Sequence, residues 1–264
     1  MQPLPLRLLP KLKESGCTDY ASVSFADFLV GMLLDKLDEL KRTDDTVIGL
    51  IGDHGWQLGE HNIWGKHSNF ELGTRVPMII AAPHMPAGVV SSVLVESVDL
   101  YPTVAALAGL PPPPDLDGVD LSPLFTQPSA EVKPSAAFSE YPRCAPPETP
   151  WDDRSSCGGT PREDFHVMGL SVRVPDWRYT CWMYWDGALL LPDFGRDPAA
   201  VELYAHKGDS EADFDLFEND NVAAEPANRP VVEKLHAMAV EQWAHGACRA
   251  PKKQCVSGGE LACC

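Results

Sequence analysis

The sequence of 264 residues has no apolar run near the length of about 20 residues that a membrane-spanning helix needs. It has no basic excess either. Lys and Arg number 21 against 38 Asp and Glu, a formal charge of −17. A nucleic-acid or anionic-membrane surface requires a positive field, so neither is expected as a partner. CxxC pairs are missing, and with them the usual spacing of a structural zinc site. No internal repeat is visible, and the opening "MQPLPLRLLPKLKESG" is too broken by Pro3, Pro5 and Pro10 for a signal-peptide core.

What is present is enough for a real core. Hydrophobic residues make up 44% of the chain, and its length fits one large domain or two unequal ones. Four of the eight cysteines, Cys248, Cys255, Cys263 and Cys264, crowd the C-terminus. Without CxxC pairs this reads as a secreted cysteine-rich tail, which favours an oxidising compartment. Cys144 and Cys157 bracket a Pro- and Asp-rich loop and form a candidate disulfide.

Residues 19–42 recur in apolar character at three- and four-residue steps (Tyr20, Val23, Val30, Leu33, Leu34, Leu37, Leu40), the pattern of an amphipathic helix. Thr18 or Asp19 would cap it, and Asp38 to Arg42 would form an i,i+4 ion pair. "TVIGLI" and "RVPMIIAAP" then read as strands buried on both faces of a parallel sheet. "VDLYPTVAALAGL" reads as a short helix with Asp99 near its cap and Pro102 in its first turn. Residues 126–163 are Pro- and Gly-rich connections. "SVRVPDWRYTCWMYW" and "VELYAHKGD" carry strand-type residues, and residues 226–245 read as a closing helix opened by proline. The expected division is an α/β portion over 1–125, connecting loops over 126–163, a small α+β subdomain over 164–247 and the tail over 248–264.

Between the two apolar strands lies "GDHGWQLGEHNIWGKHSNF", with three histidines, Asp53, Glu60 and Lys66. Ligands of open α/β sheets sit beyond the carboxyl ends of strands, where Asp53 and His54 fall. Asp53 offers hard carboxylate oxygen and His54 an imidazole, so a metal is one reading; a turn cap and a satisfied histidine is the other. His54, His61 and His67 as a zinc trio is a third, although steps of seven and six residues share no helical face. Lys66 is either a solvated lysine or the second half of an anion clamp. Trp56 and Trp64 are core or lid aromatics, or walls of a sugar pocket.

Read as a whole, the stretch from "YASVSFADFL" to "TRVPMII" resembles the sulfatase family, specifically its iduronate-2-sulfatase-like branch. The resemblance continues through "VDLYPTVAALAGLP", "LDGVDLSPLF", "SEYPR", "VMGLSVRVPDWRYTCW" and "ELYAHKGD". It implies the C-terminal part of an alkaline-phosphatase-like α/β sheet sandwiched by helices, plus a smaller α+β subdomain. By the same resemblance Asp53 and His54 match Ca²⁺ ligands, Lys66 matches the lysine that grips sulfate, and Trp56 and His67 match pocket positions. His61 and Arg75 match structural ones. The implied substrate is a sulfated sugar or glycosaminoglycan-like polysaccharide, in a lysosomal or extracellular setting.

The family's formylglycine nucleophile arises within Cys/Ser-x-Pro-x-Arg, and no such motif occurs here. "CAPPE" at Cys144 has Glu148 in place of the arginine and follows Asp53 instead of preceding it. The expectation is therefore a C-terminal portion of a sulfatase, inactive by itself, with the remaining Ca²⁺ ligands elsewhere. The alternative is a non-catalytic relative that binds glycans or a protein.

Overall fold

The computed structural model describes residues 9–145, 157–209 and 216–249, with the backbone alone for 9–17 and 245–249. Most of the cysteine-rich tail and the interior of the 144–157 loop lie outside the described residues. The chain divides into two compact units. One comprises Met1–Lys66 with Leu72–Ser135, and the other His67–Glu71 with Ala136–Cys264.

The first unit opens with α1 (Leu9–Glu39). It starts ten residues before Asp19, because Pro10 falls in the first turn, where its missing N–H costs nothing. Thr18 is thus inside the helix, where its carbonyl accepts from Ser22 Oγ at 2.9 Å, and the proposed cap at 18–19 does not form. The Asp38–Arg42 pair is not made either. The helix ends at Glu39, so Arg42 turns to Asp45 (2.9 Å) while Asp38 accepts from Thr43 Oγ1. Tyr20, Val23, Phe28 and Leu33 are solvent-facing, and of the expected stripe Val30 and Leu37 are partly covered.

β1 (Ile48–Ile51) and β4 (Met78–Ala81) pair antiparallel, Ile48 opposite Ala81 and Ile51 opposite Met78. This corrects the parallel reading. A parallel return needs a crossover, usually a full helix. The chain between them offers a small ribbon, β2 (Gln57–Leu58) with β3 (Trp64–Gly65), and the single turn of α2 (Glu71–Thr74). Neither strand is fully buried, and Ile79 is exposed.

Further on, α3 (Leu100–Leu107) follows a 3-10 turn at Ser97–Asp99. Asp99 is fully buried and stitches this region together. Its carboxylate accepts from Glu96 N (2.8 Å), Val119 N (2.9 Å) and Lys133 Nζ (2.9 Å). Glycine at 109, with φ +70°, ends the helix as Leu110 N reaches back to Ala105 O at 2.9 Å.

The second unit is an antiparallel sheet ordered β5 (Ala137–Arg143), β6 (Val167–Val174), β7 (Trp177–Asp186), with β9 (Ala200–Ala205) and the short β8 (Leu191–Pro192) both on β7. Alternation gives it two different faces. Met168, Leu170, Val172, Tyr179, Cys181, Met183 and Leu203 pack with Leu235 and Ala239 of α4 (Arg229–Arg249) into the apolar core. The other face carries Gly169, Ser171, Arg173, Arg178, Thr180 and His206. A disulfide joins Cys144 to Cys157 beyond the end of β5.

Candidate active site

The backbone after β1 is held before any side chain matters. Gly52 N donates to Pro77 O and Gly55 N to Gly73 O, each at 3.0 Å. A Cβ on Gly55 would stand 1.9 Å from Leu72 O, so only glycine fits after Asp53-His54. This seats the pair in the turn that leaves the strand.

Asp53 and His54 are then fixed by each other and by the backbone. Asp53 Oδ1 accepts from His54 N at 3.0 Å, and its side chain is 85% exposed. His54 Nδ1 donates to Gly55 O at 2.9 Å, which fixes the ring and turns Nε2 outward. Asp53 Oδ2 stands 3.1 Å from that Nε2, and Lys66 Nζ 2.6 Å from it. An oxygen and a nitrogen lone pair this close repel unless a positive charge lies beside both, and the Lys66 ammonium supplies one. The donor set therefore fits a cation: two ligand atoms of the right chemistry converge, and the imidazole has its other nitrogen anchored as metal-ligating histidines do.

Trp56 lies alongside, its ring 6.5 Å from that of His54, and it is half exposed, as is Trp64. Neither is a core aromatic. His61 has φ +54° and meets Gln57 Nε2 at 3.0 Å through Nδ1, a contact that shapes the ribbon turn. His67 belongs to the second unit, where its ring stands 5.9 Å from Tyr141. Among the described residues the three histidines do not form a group of convergent ligands.

The convergent group is a different one. Glu71, His206 and Glu218 are buried and place potential ligand atoms within 4.8 Å of one another. The polar sheet face explains them. Arg173 and Arg178 are direct cross-strand partners, and like charges opposite each other repel. Glu71 resolves this by accepting from Arg173 Nε at 3.2 Å and from Arg178 Nη2. Glu218 binds Arg178 Nε, His206 Nε2 (3.0 Å) and the Glu71 backbone N–H (2.6 Å). Asp209 takes His206 Nδ1 at 3.1 Å. Burial alone would raise Glu218, but Arg178, His206 and the Glu71 N–H outweigh it and hold the carboxyl at about 2. With two guanidiniums already on the carboxylates, the cluster is built as an ion lattice, and a metal would have to displace them. None of these residues is marked in the sequence, since every position of β6 up to Arg173 is buried and polar and apolar faces look alike.

Comparison with known proteins bears on the first cluster. Residues 18–110, which contain Asp53, His54 and Lys66, match the Sulfatase family model. The chain belongs to the sulfatase family. It is 34% identical over 265 aligned residues to iduronate 2-sulfatase from Mus musculus and to that from Homo sapiens, in each case covering 83% of this chain and 46% of the relative. Arylsulfatase K from Danio rerio is 38% identical over 176 residues, covering 66% of this chain and 30% of that protein. The chain thus spans just under half the length of the curated relatives it matches.

Among solved structures, a phosphonate monoester hydrolase from Silicibacter pomeroyi aligns with a TM-score of 0.62 and 26% identity, over 83% of this chain and 38% of that one. A protein solved in complex with its substrate D-glucosamine-2-N,6-O-disulfate aligns at 0.63 and 22% identity, over 89% and 41%. The fold is that of the alkaline-phosphatase-like sulfatases. No helix among the described residues is long and apolar enough to cross a membrane.

Proposed function

We propose that this chain carries the metal-and-lysine side of a sulfuric ester hydrolase acting on sulfated sugars, of the iduronate-2-sulfatase-like kind. The observation that carries the reading is the convergence of Asp53, His54 and Lys66 on one point after β1. Asp53 and His54 would hold a Ca²⁺ ion, which when bound polarises a sulfate oxygen. Two protein ligands are few for an ion that takes about six to eight, so the remainder come from elsewhere. Lys66 offers an ammonium within reach of the same point, able to hold a second sulfate oxygen. A sulfate ester resists attack because its own oxygens repel a nucleophile, and fixed positive charge relieves that repulsion in the transition state.

The nucleophile is the remaining part. By family resemblance it is formylglycine, and these residues contain no motif that would yield it. The Cys144–Cys157 disulfide supports a secretory, lysosomal or extracellular setting.

The test joins these residues to a polypeptide that supplies formylglycine and measures hydrolysis of a sulfated monosaccharide. Lys66→Ala should lower turnover about 100-fold or more, the scale of a single electrostatic stabiliser. Stability should move by no more than about 0.5 kcal/mol, as for an exposed lysine. Undiminished turnover would return Lys66 to the solvated surface. Binding of sulfated sugar without hydrolysis in any such assembly would favour the non-catalytic alternative.

A further inference from the structure

The ribbon that separates His54 from Lys66 has two unlike faces. Gln57 pairs with Gly65, and Leu58 with Trp64. Gln57 and Gly65 are buried. Side chains alternate along a strand, so Trp56 and Leu58 share the opposite face with Trp64 and Lys66. Exposure agrees: Trp56 is 51% and Trp64 48% exposed, and Lys66 is exposed beside them.

Both indoles lie across the ribbon. A Cβ on Gly59 would come within 3.2 Å of Trp64 Cζ2, and one on Gly65 within 4.0 Å of Trp56 Cη2. Both glycines also have φ near +120°, at +119° and +117°, which L side chains rarely adopt. Each tryptophan is thus backed by a glycine and presents flat aromatic surface to solvent. An ammonium stands on the same face. Apolar plane plus fixed cation is the chemistry that receives a sugar ring carrying an anionic ester: C–H groups of the ring pack on indole, and the ester meets the lysine.

We propose that Trp64, together with Trp56, is a sugar platform, and that Trp64 is a specificity residue selecting a sulfated oligosaccharide over a small sulfate ester. This rests on the sulfated-sugar reading above. Lys66 recognises the sulfate in either ligand. Trp64 contributes only when a sugar ring is there to cover it.

The experiment uses the full chain with its seven tryptophans labelled at the indole nitrogen. The NMR titrants are methyl sulfate, a disaccharide containing D-glucosamine-2-N,6-O-disulfate, and the same disaccharide without sulfate. The sulfated disaccharide should move the Trp64 indole resonance, assigned by its loss in Trp64→Phe. Trp64→Ala should weaken that ligand about fivefold and leave methyl sulfate unchanged, with Trp64→Phe recovering most of the loss. The other six indole signals report whether each variant keeps its fold. If the sulfated disaccharide binds, is lost in Lys66→Ala and is unaffected in Trp64→Ala, the platform falls and the sulfated-sugar reading stands. Equal weakening of methyl sulfate would make Trp64 structural and also overturn the proposal. If the sulfated disaccharide does not bind the wild-type chain, the underlying reading falls and takes the platform with it.

Discussion

Gly55 shows how a site can depend on a residue with no chemistry of its own. The metal-ligand candidates before it point where they do because the chain passes against the Leu72 carbonyl, leaving no room for a Cβ. Gly55→Ala should therefore destabilise by about 2 kcal/mol or more, as overpacking against a fixed backbone atom does. The His54 imidazole resonances should move as well, since Nδ1 is anchored on Gly55 O. Urea denaturation and a histidine NMR spectrum check both. A variant with wild-type midpoint and unmoved His54 signals would mean that the Leu72 carbonyl yields easily. The Asp-His-Gly triplet was legible in the sequence because its chemistry is local: a carboxylate, an imidazole and a glycine at a strand end. The 2.6 Å approach of Lys66 to His54 was not, since twelve residues of ribbon bring it about.

At the scale of elements, the order of strands and helices in the second unit could be read from composition, from β6 through α4. The first unit resisted in two ways. Apolar content of β1 and β4 said that they were strands but not their direction, which the short connection decides. Periodicity marked the helix but not its start at Leu9. The ion lattice was the least legible feature, because Glu71 and Glu218 are 147 residues apart and meet only when the sheet's polar face closes. It also makes the sharpest element-scale prediction. Arg178→Met would leave Glu71 and Glu218 buried with much of their compensation gone, a cost of about 3–5 kcal/mol. Adding Glu218→Gln to that variant removes one of the stranded charges, so the double variant should be more stable than the additive sum. A double-mutant cycle by urea denaturation gives the coupling. Strict additivity would show that the two side chains do not interact.

For the whole molecule, these groups combine with an excess of 38 acidic over 21 basic residues to set how stability depends on pH. Glu218 sits at about 2 in the folded state against an ordinary 4.5. Its stabilisation is complete above about 4.5 and disappears as pH falls toward 2, a contribution on the order of 3 kcal/mol. Glu202 behaves in the opposite way. Burial pushes its carboxyl up, and the Glu218 charge adds to this against hydrogen bonds from Trp182 and Tyr204 and the charge of Arg143. A carboxyl raised in the folded state costs stability as pH climbs through and above 4.5, because the folded chain holds the proton longer than the unfolded one. Self-repulsion among surface carboxylates works in the same direction. The stability maximum should thus lie on the mildly acidic side of neutrality, with a steep loss between about 4.5 and 2. Denaturation midpoints measured across pH 2–8 would show it. Glu218→Gln should flatten the acid limb, and Glu202→Gln the limb above 4.5. A maximum at or above neutral pH, unchanged by either substitution, would mean that these two carboxyls do not control the profile. A maximum in mild acid fits a protein that works in an acidic compartment, the setting proposed from its disulfide and its family.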